Sequence, residues 1–206
     1  MLLYIYTKKQ ILAVKRRIHF QKTVASEKII LGIDPGTTVM GFGLIRVVGK
    51  QMEFMQIDEL MLKKYNDHYT KLKLIFDRTI HLIDTYHPDE IAIEAPFFGK
   101  NVQSMLKLGR AQGVAMAAGL SRQVTITEYS PKKIKMAITG NGNASKEQVA
   151  KMLQSLLNMK QLPKNLDATD GLAAAVCHFY NAGKPQGEKS YKGWASFVRN
   201  NEKRVG

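Results

Sequence analysis

Ile29-Ile-Leu-Gly-Ile-Asp34-Pro-Gly-Thr-Thr38 is the stretch on which the fold turns. Its five leading apolar residues lack the alternation of a half-exposed strand and fit a short strand covered on both faces. Asp34-Pro35-Gly36 then reads as the entry to a tight turn. Two further runs, Gly41 to Val48 and Gln51 to Ile57, meet at Gly49-Lys50, a two-residue hairpin signal. Three antiparallel strands in succession are predicted.

Downstream the period changes. Tyr69, Leu72, Phe76, Ile80 and Ile83 recur at helical spacing, which predicts an amphipathic helix over residues 68–86, ended by His87-Pro88. Residues 90–94 then form a fourth strand of the parallel type. Residues 101–120 read as a second helix kept thin by Gly109, Ala111, Gly113, Ala115, Ala117, Ala118 and Gly119, suited to close packing in the core or to a dimer seam. A fifth strand over residues 124–129 is followed by a short helix with Ser130 as cap and Pro131 at its first position. Ser145-Lys-Glu-Gln148 is a capping box ahead of another helix, and a last helix carries Asp167 to Tyr180. The order predicts an α/β fold: a five-stranded mixed sheet flanked by helices.

Charge is unevenly spread along the 206 residues, whose formal net charge is +14. Residues 1–28 hold seven basic and one acidic side chains, residues 181–206 six and two, and the stretch between them 18 and 14. The reading is a basic N-terminal arm or non-native extension over 1–28, one folded domain over 29–183 and a basic tail over 184–206. A mildly basic domain with basic ends fits a polyanionic partner. The single cysteine, Cys177, excludes an internal disulfide and Cys-rich zinc modules, and points to a reducing cytoplasm. No run is long enough to span a bilayer, so no membrane partner is expected.

Four carboxylates carry the chemistry. Asp34 and Glu94 each end a buried-type strand just before a turn, at places where a charge is costly to desolvate unless something pairs with it. If strands one and four are neighbours, both acids reach one rim of the sheet. Asp167 and Asp170, three residues apart, share a helix face. Taken alone, Asp167 is equally well read as a helix cap. Four acids together would repel one another unless a divalent cation neutralised them, and hard oxygen ligands select Mg²⁺ or Mn²⁺ over zinc. Such a centre suits metal-assisted attack on a phosphodiester.

Gly32-Ile-Asp-Pro-Gly36 with Gly41-Phe-Gly43, Ile93-Glu-Ala-Pro-Phe-Phe-Gly-Lys-Asn101, Leu106-Lys-Leu-Gly-Arg-Ala-Gln-Gly113 and Asp167-Ala-Thr-Asp-Gly-Leu-Ala173 closely resemble the RuvC family of bacterial crossover junction endodeoxyribonucleases. The resemblance runs from about residue 29 to residue 182, with the motifs in the family's order. It implies a ribonuclease H-like fold, a homodimer, and paired nicks in four-way junction DNA, with RuvA and RuvB as partners. Asp34, Glu94, Asp167 and Asp170 occupy the family's acidic metal-binding positions, and some members have His at the position of Asp167. Phe97 matches an aromatic position suited to stacking on a base, with Lys100 beside it. Lys135 and Lys146 match basic positions near the active site, and Lys132 and Lys133 extend that patch toward phosphates.

Two rival readings remain at this point. One is a ribonuclease H-like nuclease acting on RNA hybrids or flaps; the other is a junction-binding protein without catalysis. The presence of all four acids weighs against the second, and the Phe97 loop with Lys135 and Lys146 against the first. Cys177-His178, adjacent on one helix, lack zinc-finger spacing and are read as packing residues.

Overall fold

A computed structural model describes residues 27–96, 101–163 and 165–182. Five strands, β1 (Glu27–Asp34), β2 (Val39–Val48), β3 (Gln51–Met61), β4 (Glu90–Glu94) and β5 (Thr125–Tyr129), form one sheet in the order β3-β2-β1-β4-β5. β1 pairs antiparallel with β2, and β2 with β3, whereas β4 and β5 run parallel to β1. Among the described residues five helices accompany the sheet: α1 (His68–Tyr86), α2 (Val102–Ser121), α3 (Pro131–Thr139), α4 (Lys146–Leu156) and α5 (Asp167–Asn181). The mixed α/β sheet follows the expected strand pattern.

β1 sits in the middle, and this explains its unbroken apolar run. Ile30 faces a core shared with α3, α4 and α5, while Leu31 and Ile33 face a second core shared with α1 and α2; all three are fully buried. Each such side chain contributes roughly 1.5–3 kcal/mol of transfer free energy. Because side chains alternate along a strand, Ile30, Gly32 and Asp34 belong to the α5 side, as do Glu90, Ala92 and Glu94. The alternation aims Asp34 and Glu94 at the face on which α5 lies.

Glycine lets α5 come close. A methyl group added at Gly32 would lie 2.0 Å from the Gly171 carbonyl oxygen, and one at Gly43 would lie 2.3 Å from Leu172 Cα. With hydrogen at these positions, the backbone of α5 rests directly on β1 and β2, which carries Asp167 and Asp170 toward the end of β1.

Two boundaries and one cap conformation differ from the sequence reading. The first strand begins at Glu27, inside the stretch assigned to the arm, because Glu27 and Lys28 continue the pairing with Val48 and Val47. β3 runs on to Met61 instead of stopping at Ile57. Its extra acids are polar by sequence yet satisfied in place: Asp58 pairs with Arg78 at 2.6 Å, and Glu59 accepts a hydrogen bond from the Asn165 amide at 2.8 Å. α1 ends at Tyr86 as expected, but His87 caps it in the left-handed region (φ 48°) instead of the extended conformation usual before proline.

The predicted caps form. Ser130 accepts from the Lys133 N–H, with Pro131 at the first helical position. Ser145 and Gln148 make both bonds of the capping box. Cys177 and His178 are buried, and His178 is clamped between the Tyr129 hydroxyl at 2.9 Å and the Glu90 carboxylate at 2.8 Å. Glu90 also accepts from Lys28 at 2.7 Å, tying α5 to β1, β4 and β5 in one network. Among the described residues, no helix is long and apolar enough to cross a membrane.

Candidate active site

Asp34 and Glu94 end neighbouring parallel strands. Ile33 is in register with Ile93, so the two acids occupy equivalent positions one step on, at the same rim of the sheet. The turn behind Asp34 is held from the other face, where Lys71 of α1 donates to the Thr37 carbonyl at 2.9 Å. Glu94 is steadied by Gln112 of α2, whose buried amide donates to the Glu128 carboxylate at 2.9 Å and reaches the Glu94 carbonyl at 3.4 Å. Gln112 has a positioning role that the sequence reading did not assign. Its signal was its place in Leu106–Gly113, as a polar residue on the helix face otherwise occupied by Ala111 and Ala115.

From α5 come Asp167 and Asp170, both partly buried. The capping alternative for Asp167 does not hold. It is the first helical residue, Leu166 occupies the cap position with no side-chain bond, and Asn165 accepts the Asp167 N–H at 3.1 Å instead. Both carboxylates are free to face Lys146, at the start of α4. Its ammonium donates to Asp167 Oδ1 and lies 2.6 Å from Asp170 Oδ2. Burial alone would lower the Lys146 pKa, but these two hydrogen bonds raise it overall and keep the amine charged.

Charge is concentrated here. Burial and then the neighbouring Glu94, Asp170 and Asp167 push Asp34 well above the usual carboxylate range, with Lys146 opposing. Glu94 is pushed up to about 7, first by burial and then by Asp170, with Lys135 and Lys146 opposing. Burial also raises Asp170, against its hydrogen bond to Lys146. The mutual repulsion of these carboxylates is what a bound cation would relieve. Two small clefts flank Glu94. One, of about 200 Å³, is lined by Glu94, Lys135, Lys146 and Asp170. The other, of about 160 Å³, is lined by Asp34, Pro35, Glu94 and Leu108.

The donor set is all hard oxygen, which matches a divalent cation of the Mg²⁺ type. As the side chains lie, no group of three or more His, Cys, Asp or Glu among the described residues is arranged to hold a metal ion. The ammonium of Lys146 is the cation that balances Asp167 and Asp170 here.

The basic residues divide. Lys135 and Lys146 line the cleft beside Glu94. Lys132 and Lys133 are exposed on α3, and the ammonium of Lys133 sits 4.8 Å from the centre of the Tyr129 ring. Phe97 and Lys100 lie outside the described residues.

The family model for crossover junction endodeoxyribonuclease RuvC matches residues 30–178. The curated protein "Crossover junction endodeoxyribonuclease RuvC" of Christiangramia forsetii is 77% identical over 185 residues, covering 90% of this chain and 96% of that protein. Its counterpart in Bacteroides fragilis is 62% identical over 181 residues, covering 87% and 96%. The solved structure of Thermus thermophilus RuvC in complex with a Holliday junction substrate superposes with a TM-score of 0.70 at 28% identity, covering 75% of this chain and 94% of that one. With the acids converging on the end of β1, and a match that spans every element from β1 to α5, the chain belongs to the RuvC family of crossover junction endodeoxyribonucleases.

Proposed function

We propose that this chain resolves Holliday junctions in recombination and repair by paired, symmetric nicks, with Asp34, Glu94, Asp167 and Asp170 as the ligands of a catalytic Mg²⁺. Membership of the family implies a divalent metal; Mg²⁺ is the specific choice, and Mn²⁺ is expected to substitute. The observation that carries the reading is the meeting of Asp34 and Glu94 at one sheet rim with Asp170 from α5, where Glu94 and Asp170 both raise the pKa of Asp34 and Asp170 raises that of Glu94.

The chemistry a bound metal supplies is to activate the attacking water and stabilise the leaving oxygen, giving 5′-phosphate and 3′-hydroxyl ends. The chain's own groups do the rest. Asp34 and Glu94 hold the reacting face on a rigid sheet edge. Lys146, paired here with Asp167 and Asp170, would offer its charge to the phosphate if those acids held a cation, and Lys135 in the same cleft would neutralise developing charge. Lys132, Lys133 and Lys100 position the backbone, and Phe97 stacks on an unpaired base near the junction centre.

A homodimer matches the two-fold symmetry of the junction. The outward side of α2 supports this arrangement: nothing lies within 4 Å of a methyl group built on Gly109 or Gly113, and Leu106 and Leu120 are 52% and 62% exposed. RuvA and RuvB are the expected partners in a cytoplasmic setting. Residues 1–26 and 184–206 are then basic extensions of the nuclease domain.

The test is to incubate the protein with a labelled mobile four-way junction, a matched linear duplex and an RNA–DNA hybrid, in Mg²⁺ and in chelator. Symmetric, ligatable nicks in the junction alone, lost in chelator, are expected. Binding without cutting would mark a scaffold, and cutting of the hybrid a different nuclease of this fold.

A further inference from the structure

One row of residues crosses three strands at the rim that carries the acids. Asp34 of β1 is in register with Gly41 of β2, and Gly41 with Glu59 of β3. Residues directly opposite one another in antiparallel strands share a face, so Glu59 belongs to the α5 side of the sheet with Asp34, two strand spacings or ~10 Å away. The start of α5 lies along this row. A methyl group at Gly41 would be 2.7 Å from the Asp167 carbonyl oxygen and 3.4 Å from the Gly171 nitrogen, so the first turn of the helix is seated over the middle of the row.

That turn has no ordinary cap. Leu166 holds the cap position without a side-chain bond, and a helix end left in that state frays. Asn165 supplies two connections with one amide. Its Oδ1 accepts the Asp167 N–H at 3.1 Å, a local Asx turn, and its Nδ2 donates to Glu59 Oε2 at 2.8 Å, across 106 residues of sequence. The backbone winds accordingly: the Asn165 carbonyl accepts the Ala168 N–H at 3.3 Å, and the Leu166 carbonyl accepts the Thr169 N–H at 2.9 Å and its hydroxyl at 2.7 Å.

Apolar packing does not fill this corner. A cleft of about 320 Å³, lined by Ile57, Asp58, Glu59, Pro163, Asn165 and Ala168, lies between β3 and the start of α5, and the Asn165 amide joins the two sides. Only an amide meets both demands, because it presents an acceptor and a donor in one plane. Aspartate would keep the Asx turn and repel Glu59; alanine would lose both bonds.

We propose that Asn165 and Glu59 form a latch that positions Asp167. It ties the first turn of α5 to the row that holds Asp34, so the Asp167 backbone is fixed from the β3 side while Lys146 holds its carboxylate. Asn165 and Glu59 are positioning residues that act through Asp167, and their role rests on the reading of Asp167 as a metal ligand proposed above.

The Glu59–Asn165 bond is open to water and contributes modestly to stability, so the test reads metal binding in the folded protein. Mn²⁺ affinity, measured without DNA by electron paramagnetic resonance, should weaken about tenfold in Glu59→Ala, the low end for losing a group that orients a ligand. The Mg²⁺ concentration for half-maximal junction cleavage should rise by the same factor, while the urea midpoint and junction affinity in chelator stay near wild type. Glu59→Gln keeps an acceptor in place and should return both metal readings close to the wild-type values. Asn165→Ala, which also loses the Asx turn, should bind Mn²⁺ at least as weakly as Glu59→Ala. Wild-type Mn²⁺ affinity in folded Glu59→Ala, or a Glu59→Gln variant as impaired as Glu59→Ala, would overturn the latch. Asp34→Asn separates the two levels of inference. If it abolishes Mn²⁺ binding and Glu59→Ala changes nothing, the latch alone fails; if neither variant alters Mn²⁺ binding, the acids are not the metal site and the latch falls with them.

Discussion

Asp34 and Glu94 are the residues on which chemistry and stability oppose each other most directly. Asp34→Asn keeps the shape and removes a charge, so cleavage of a four-way junction should fall by more than about 100-fold, the upper end of what losing a mere supporting contact costs. Gel-shift affinity for the junction in chelator should stay within a few-fold of wild type; retained cleavage would remove Asp34 from the ligand set. Glu94 gives a pH signature. Its ordinary pKa is 4.5 and its folded value about 7, so between these the native state holds a proton that the unfolded chain has released. Stability from this group must therefore fall as pH rises through that window, by at most about 3 kcal/mol. Asp34, raised by the same causes, acts in the same direction. Calorimetry in chelator should show the melting temperature declining over this range and a flatter profile in Glu94→Gln. Mg²⁺ should raise the melting temperature most above pH 7, where Glu94 has largely lost its proton and can bind it.

At the level of elements, the seat of α5 on the sheet decides whether Asp167 and Asp170 reach Asp34. Gly43 touches none of the acids, yet a methyl group there would meet the Leu172 backbone. Gly43→Ala should cost about 1–3 kcal/mol in urea unfolding and lower cleavage as well, because α5 must shift to relieve the overlap. A variant with normal cleavage would show that the helix seat is not what places the acids. The start of α4 is a second lever, since the capping box holds the turn from which Lys146 projects. Ser145→Ala should destabilise the protein by about 1 kcal/mol.

For the whole molecule, the consequences turn on symmetry and on the basic ends. If two copies meet through the thin outward side of α2, Gly113→Arg should convert a dimer to a monomer in sedimentation. It should also replace paired cuts by single, uncoordinated nicks on a supercoiled cruciform. Paired cuts from the variant would place the seam elsewhere. Removing residues 1–26 leaves every described element intact, so cleavage should persist. The salt dependence of junction binding should become shallower, because the arm's basic residues no longer release counterions from the DNA.

The succession of strands and helices along the chain, the caps at Ser130 and Ser145, and the two acids at strand ends were legible in the sequence, because all depend on local patterns: apolar runs, cap chemistry and turn residues. The motifs quoted above carried the family in the same way. Other features required distant segments to meet. β3 extends past Ile57 because Arg78 and Asn165, far along the chain, satisfy Asp58 and Glu59. The cap role left open for Asp167 passed to Asn165, and Lys146 turned to the acids instead of to solvent. Gln112 found its partners in Glu128 and the Glu94 carbonyl only once α2 had packed beside β4 and β5. Local chemistry determined which residues could serve the site. Their distances, charges and partners were decided by the packing of α5 on the glycines of β1 and β2, a long-range steric fit that no single stretch of sequence contains.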